Sequence, residues 1–207
     1  SLYRAVFDFL TGDEDKKKLI FCIEPPSRPQ FKVLSHDLPD DLNEEQKTIL
    51  SKIIQTQDYF LLWGPPGTGK TSIMLRSLSK YLIEHSDDQI LLLGYTNRAV
   101  DEICEALDSV GLDFLRIGSR YTAQKKFWKH FLDEQANNIE RRSDFKNLLV
   151  SNRIIVGTLS SINGKSELFQ IKTFDWVIVD EASQILEPML AGILTKIKKW
   201  VLIGDHK

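Results

Sequence analysis

Cysteine is scarce in this chain of 207 residues, and the two that occur, Cys22 and Cys104, lie far apart without a CxxC pair. That spacing argues against a zinc site and against a disulfide framework. Cys104 falls with Val100, Ile103 and Leu107 at a spacing that lines one face of a helix. We therefore predict that Cys104 is a buried structural thiol.

Long apolar runs and an excess of one charge are also missing. The sequence has no signal peptide and no apolar run long enough to span a bilayer, so we expect no membrane partner and an intracellular location, cytoplasmic or nuclear. Lys and Arg number 27 against 29 Asp and Glu, which gives a net charge of −2. Any nucleic-acid binding must therefore come from a local patch. Because the chain starts without Met and stops at "LIGDHK", we interpret it as a piece of a longer protein. We expect this piece to be a monomer.

What the sequence does contain is an alternation of short apolar runs with helical patterns. Runs rich in Leu, Ile and Val occupy 58–64, 89–96, 113–119, 153–158, 175–182 and 199–205. Such runs are typical of parallel strands that are covered on both faces. Helical periodicity separates several of them, at 70–85, 98–110 and 187–198. The alternation predicts a doubly wound α/β domain with ligands at the C-terminal ends of its strands.

Residues 1–41 depart from that alternation. They contain a charge block at 13–18, the apolar pieces "LIFCI" and "FKVLS", and four prolines. This pattern predicts two or three strands, and we interpret the segment as the β-rich remnant of an upstream subdomain.

A polar, helix-prone insertion at 120–150 also departs from the alternation of strands and helices. Its aromatic residues are interleaved with cations: Phe127, Trp128 and Phe131 among Arg120, Lys125, Lys126, Lys129, Arg141, Arg142 and Lys146. One interpretation is a strand-binding surface whose rings stack on bases. The other, which we favour, is a solvated helical hairpin with an apolar underside.

The most specific signal is "GPPGTGKT" at 64–71, which fits G-x-x-x-x-G-K-[ST] between a predicted strand and a predicted helix. Glycines at these positions let consecutive backbone N–H groups turn inward around an anion, and the helix N-terminus adds its positive dipole end. Lys70 can reach the β- and γ-phosphates, and the Thr71 hydroxyl can ligate Mg²⁺. The predicted nucleotide-binding set is Gly64, Pro65, Pro66, Gly67, Thr68, Gly69, Lys70, Thr71 and Ser72.

Two acids, Asp180 and Glu181, follow an apolar strand in "VIVDEASQ" at 177–184. A carboxylate at that point can hold Mg²⁺ through water, which suits Asp180. The next carboxylate can take a proton from attacking water, which suits Glu181. Acids at a strand end are often simply solvated, but together with the phosphate loop they predict a nucleoside-triphosphatase core.

Six motifs in order resemble those of superfamily-1 helicases: "LNEEQ" (42–46), "GPPGTGKT" (64–71), "YTNRAVDEI" (95–103), "VGTLSSI" (156–162), "VIVDEASQILEP" (177–188) and "LIGDHK" (202–207). They are most similar to the 5′-to-3′ branch that includes the Upf-like, senataxin-like and Dna-two-like enzymes. The resemblance covers 42–207 and implies the first RecA-like motor domain of an ATP- and Mg²⁺-dependent helicase. It also implies two partners, a single strand of DNA or RNA and a second RecA-like domain that closes over the nucleotide.

The resemblance implies further site residues. Gln46 would read the adenine edge, although Asn43 and Gln46 also match a helix capping box. Thr96, Asn97, Thr158 and Ser160 would touch the nucleic-acid backbone, and simple helix capping is the alternative for Thr96 and Asn97.

Gly204 and Asp205 would open the motif that couples the nucleotide to the strand. The glutamine that usually follows in this motif would be residue 208, beyond the present sequence, and the arginine fingers belong to the second domain. Two alternative functions stay open. One is a nucleotide-gated binding or scaffold module, and the other is a P-loop ATPase that acts on proteins.

Overall fold

The computed structural model describes residues 2–27, 30–32, 34, 38–64, 70–137, 139 and 141–205, with the backbone alone for 70–72. Its centre is a six-stranded sheet in which every pair of neighbours is parallel. The strands are β1 (Tyr59–Trp63), β2 (Ile90–Gly94), β3 (Leu115–Ile117), β4 (Ile154–Thr158), β5 (Trp176–Val179) and β6 (Lys199–Gly204). Each lies within a segment that the apolar runs predicted, and the α/β prediction is confirmed.

The strand order β1-β6-β5-β2-β4-β3 places the functional segments. The chain leaves β1 and re-enters the sheet three positions away at β2, and β5 and β6 later fill the gap. As a result, the C-terminal ends of β1, β6 and β5 are neighbours. Ligands of open α/β sheets bind at this edge, beside the point where strand order reverses.

Helices cover both faces of the sheet. They are α1 (Leu2–Leu10), α2 (Glu14–Ile20), α3 (Glu44–Gln55), α4 (Arg76–His85), α5 (Asn97–Asp108), α6 (Leu132–Ala136), α7 (Arg142–Ser151), α8 (Leu159–Asn163), α9 (Leu168–Ile171) and α10 (Glu187–Leu194). The phosphate-loop helix begins with a π-helical turn, Lys70–Leu75, that continues into α4. Within the described ranges, no helix is long and apolar enough to cross a membrane.

Two apolar clusters form the core, one on each side of the sheet. In β2, Leu92 packs with the first cluster, and Leu91 and Leu93 pack with the second. Successive side chains of a strand point to opposite faces, so a strand buried on both faces needs an apolar residue at every position. This burial explains the continuous apolar runs in the sequence.

The N-terminal segment is helical, so the prediction of β-rich structure in 1–41 is wrong for the residues that the structure describes, which contain α1 and α2 and no strand. The charge block starts a helix because the Asp13 carboxylate accepts a hydrogen bond from the Lys16 backbone N–H at 3.0 Å. "LIFCI" is divided by the end of α2 at Ile20 and by the left-handed backbone of Cys22, φ 54°. Helix α1 packs on α10 so closely that a Cβ at Gly192 would lie 2.5 Å from the Ala5 carbonyl oxygen.

The insertion is helical, as predicted. Short 3₁₀ turns at Arg120–Thr122 and Lys125–His130 precede α6 and α7. Phe127 and Phe131 are almost fully buried, which agrees with the favoured interpretation of an apolar underside. These two rings are therefore not available for stacking on bases.

The prediction for Cys104 is confirmed. The thiol is fully buried, and this burial raises its pKa to about 12. A thiol that stays protonated at neutral pH is a poor nucleophile and a poor metal ligand, so Cys104 is structural.

Candidate nucleotide and nucleic-acid site

The ends of three adjacent strands bring the predicted nucleotide residues to one edge. Trp63 of β1 pairs with Gly204 of β6, and Leu202 pairs with Val179 of β5. Gly64 and Asp205 therefore leave the sheet at the same level, and Asp180 leaves the next strand two residues lower, level with Ile203. Pro65, Pro66, Gly67, Thr68 and Gly69 lie outside the described residues, as do the side chains of Lys70, Thr71 and Ser72, so their nucleotide contacts stay predictions.

The two acids differ in their surroundings. Asp180 is 5% exposed, and its backbone N–H donates to the Leu93 carbonyl at 2.8 Å, which joins it to β2. Glu181 is half-buried and has a left-handed backbone, φ 54° and ψ 32°. A residue other than glycine adopts this conformation at a cost of about 1–3 kcal/mol, and such strain is concentrated at functional sites.

Burial raises the pKa of Glu181 above its ordinary value, and the neighbouring Asp180 carboxylate raises this pKa further. A hydrogen bond from Thr96 opposes both effects. A carboxylate with a raised pKa is a stronger base, which suits proton abstraction from water.

The contact with Thr96 joins two sets of residues that the sequence assigned to different ligands. The Thr96 hydroxyl donates to the Glu181 carboxylate at 3.3 Å, across 85 residues of sequence. It also accepts the Ala99 backbone N–H at 3.1 Å and so caps α5. This contact was missed because it depends on β2 lying next to β5, and apolar periodicity carries no information about strand order.

The other candidate nucleic-acid residues lie at the ends of β2 and β4. Asn97 and Ser160 are exposed, whereas Thr158 is largely buried. The Thr158 hydroxyl is 2.7 Å from the Ser161 hydroxyl and accepts the Ser161 N–H, so Thr158 caps α8. Capping is thus a structural role of both threonines, and contact with nucleic acid stays a prediction for all four residues.

Gln46 forms the capping box that was the alternative to adenine recognition. Its side-chain oxygen accepts the Asn43 N–H at 3.0 Å, and its own N–H donates to the Asn43 side chain at 2.8 Å. The capping alternative is confirmed, and a contact with adenine stays a prediction.

Ser183 is a site residue that the sequence analysis did not single out. The Asp205 backbone N–H donates to its hydroxyl at 3.4 Å, and a Cβ at Gly204 would lie 3.3 Å from the Ser183 Cβ. The end of β6 is thus held against the turn that follows the two acids. Its position in the sequence, just after Asp180 and Glu181, could have identified Ser183 as a site residue.

The oxygen donors at this edge fit Mg²⁺. The residues that the structure describes contain no group of three or more His, Cys, Asp or Glu side chains that could hold a metal ion by themselves. Mg²⁺ in phosphoryl-transfer sites typically uses one or two protein oxygens together with phosphate oxygens and water. Asp180 and Thr71 would supply the protein oxygens.

Comparisons with known proteins agree with this geometry. The DNA replication ATP-dependent helicase/nuclease JHS1 of Arabidopsis thaliana is 35% identical over 205 residues, an alignment that covers 96% of this chain and 15% of that protein. The DNA replication ATP-dependent helicase/nuclease DNA2 of Mus musculus is 33% identical over 212 residues, an alignment that covers 96% of this chain and 20% of that protein. This chain therefore spans only 15–20% of the length of these relatives.

The fold has a counterpart among solved structures, and a family profile matches most of the sequence. The UvsW helicase from bacteriophage T4 aligns with a TM-score of 0.58 at 16% identity, covering 93% of this chain and 61% of that one, which supports the RecA-like fold alone. The profile of an AAA domain family matches residues 41–144 and 119–207. The chain belongs to this AAA domain family, and its resemblance to the superfamily-1 helicase motor is confirmed.

Proposed function

We propose that this chain is the first motor domain of an ATP-dependent helicase or translocase that moves along single-stranded nucleic acid. The relatives carry the name of DNA replication helicase/nuclease, which favours DNA over RNA as the strand. The whole activity requires a second RecA-like domain to complete the nucleotide cleft.

The observation that carries this proposal is the contact between Thr96 and Glu181. Thr96 is placed by its motif on the nucleic-acid side, and Glu181 is the candidate base for ATP hydrolysis. An ATPase that is driven by a strand needs a physical link between these two sites. A protein-directed P-loop ATPase has no need for a strand-binding side chain in this position.

The proposed roles in hydrolysis are those that the motifs assign to these residues. The phosphate loop and Lys70 would hold the phosphates, and Asp180 and Thr71 would hold Mg²⁺. When bound, the metal ion would neutralise charge on the phosphates. Glu181 orients the attacking water and takes its proton, which its raised pKa favours. Asp205 follows β6, which lies between β1 and β5, and its proposed role is to respond to the nucleotide.

The test is the ATPase rate of the complete protein with and without single-stranded DNA. We expect single strands to stimulate hydrolysis. We also expect the double change Thr96→Ala and Asn97→Ala to reduce this stimulation while leaving basal nucleotide affinity nearly intact. A wild-type protein that single strands do not stimulate would exclude the motor in favour of one of the two alternatives.

Parallel loss of stimulation and of nucleotide affinity in the double variant would identify the two residues as structural caps. An unwinding assay on a DNA duplex with a single-stranded tail then separates a motor from a nucleotide-gated scaffold, because only the motor couples hydrolysis to strand separation.

A further inference from the structure

An ion pair joins the two helices that the sequence assigns to opposite ends of the nucleotide. Arg76 is the first residue of α4, the helix that continues the phosphate loop. Asp41 lies two residues before Asn43, the N-cap of α3. The Arg76 guanidinium donates to the Asp41 carboxylate at 2.5 Å, across 35 residues of sequence. The start of α3 is therefore tied directly to the phosphate-loop helix.

Arg76 acts on a neighbouring segment rather than on phosphate. It follows the π-helical turn Lys70–Leu75, and turns of this kind are rare and concentrated at functional sites. Lys70, at the start of that turn, is the residue proposed to hold the phosphates. The guanidinium of Arg76 is engaged by Asp41, so any effect of Arg76 on a nucleotide passes through the segment to which Asp41 belongs.

That segment leads into the residue predicted to read adenine. The side-chain oxygen of Gln46 accepts the Asn43 N–H at 3.0 Å, which fixes this side chain to the first turn of α3. A glutamine amide has a second lone pair on its oxygen and two N–H donors. These groups match the donor and the acceptor on the outer edge of adenine. The position of the first turn of α3 therefore decides where this amide lies relative to the phosphate loop.

Apolar packing alone leaves that position loosely defined. Leu38 and Leu42, on either side of Asp41, are buried in the same core cluster as Leu75. Apolar burial is non-directional, whereas a hydrogen-bonded ion pair has a defined geometry. The side chains of Asp41 and Arg76 are 58% and 25% exposed, and an ion pair with this exposure contributes little to stability. Its specific consequence is the placement of one helix against the other.

We propose that Arg76 is a positioning residue that, through Asp41, sets the distance between the adenine end and the phosphate end of the nucleotide site. This inference rests on the proposed function, since it takes ATP as the ligand of the phosphate loop and Gln46 as the adenine contact. A nucleotide then meets both ends of its site already arranged and does not have to order the start of α3 on binding. The ion pair thus favours ligands that carry adenosine over bare polyphosphates.

The test compares two inhibitors of ATP hydrolysis by the complete protein, ADP and pyrophosphate, which share two phosphates and differ in the adenosine. Arg76→Ala should raise the inhibition constant of ADP by about two- to tenfold, the usual effect of having to order one long side chain on binding. The inhibition constant of pyrophosphate should stay unchanged, which also shows that the phosphate loop of the variant is intact.

Lys80→Ala is the matched control. Lys80 lies one turn further along α4, and its ion pair with Glu84, at 3.8 Å, stays within that helix. The change removes the same charge from the same helix without touching α3. It should therefore alter neither inhibition constant.

The exchanged pair, Asp41→Arg with Arg76→Asp, tests the contact itself and should recover most of the ADP affinity that Arg76→Ala loses. An unchanged inhibition constant of ADP in Arg76→Ala would overturn the positioning role and leave the proposed function standing. A parallel rise for ADP and pyrophosphate would overturn it too, because Arg76 would then act on the phosphates. The proposed function fails by a separate result, the absence of stimulation of the wild-type protein by single strands.

Discussion

Glu181 combines a strained backbone with a shifted pKa, and both point to a chemical role. We expect Glu181→Gln in the complete protein to retain ATP binding but to lose turnover by roughly 10²–10⁴-fold, the usual contribution of an acid–base group. Lys70→Ala should instead weaken nucleotide binding itself. Steady-state hydrolysis and nucleotide titration measure the two effects.

The control for this change is Glu167→Gln, because Glu167 is an exposed carboxylate after α8. It should leave turnover unchanged. If turnover also survives in Glu181→Gln, the base must be sought elsewhere.

The raised pKa of Glu181 predicts a pH dependence. A general base works only when deprotonated, so hydrolysis is lost as pH falls through its pKa. Because burial and the Asp180 charge raise this pKa in the chain without nucleotide, the acid limb of the kcat/KM–pH profile, which reports the free enzyme, should lie above that of an ordinary carboxylate. Glu102 raises the pKa as well, so Glu102→Gln should move the limb to lower pH. A limb that does not move would show that Glu181 is not the group being titrated.

At the scale of elements, the strands were predictable and their order was not. A run such as "ILLLG" in β2 is recognisable as a strand in the sequence, because every position is buried and is therefore apolar or glycine. The order of the strands depends on crossovers between distant segments. For that reason the sequence could place Thr96 and Glu181 each at a strand end, but not beside each other.

The N-terminal helices were missed for a different reason. Helices α1 and α2 have only nine and seven residues, so periodicity is hard to detect, and the pattern of prolines after them suggested strands. The packing of α1 on α10 depends on contacts with Gly192, far along the chain. Tertiary contact therefore decides the structure where local preference is weak.

A buried ion pair ties α5 to β3 and to the insertion. Arg116 of β3 is 2% exposed and donates to the Asp101 carboxylate of α5, whose other oxygen accepts the Gln124 N–H at 3.2 Å. Asp101→Asn removes the charge that compensates buried Arg116, so we expect a loss of about 3–5 kcal/mol in the free energy of unfolding. Denaturant unfolding measures this loss. Asp108→Asn, at the exposed end of the same helix, is the control and should change stability little.

At the scale of the whole molecule, the proposed nucleotide cleft has only one wall. No arginine finger is assigned within this chain, and such a residue contributes roughly 10³–10⁵-fold to turnover in other phosphoryl-transfer systems. We therefore expect residues 1–207 alone to bind ADP or ATP–Mg²⁺ weakly and to hydrolyse ATP barely above background. A phosphate-release assay on the purified chain checks this. Rapid turnover would mean that the cleft is complete without a second domain.

The hydroxyl of Thr96 has a single proton. The hydroxyl oxygen accepts a hydrogen bond from the Ala99 N–H, and the hydroxyl proton is donated in a hydrogen bond to the Glu181 carboxylate. A phosphate oxygen of a nucleic acid can only accept, so a strand that contacts Thr96, as we propose, would compete with Glu181 for this hydrogen bond. Glu181 would then lose the hydrogen bond that lowers its pKa and would become a stronger base. Thermodynamic linkage makes any effect of this exchange on binding reciprocal: the factor by which a strand changes nucleotide affinity is the factor by which nucleotide changes strand affinity.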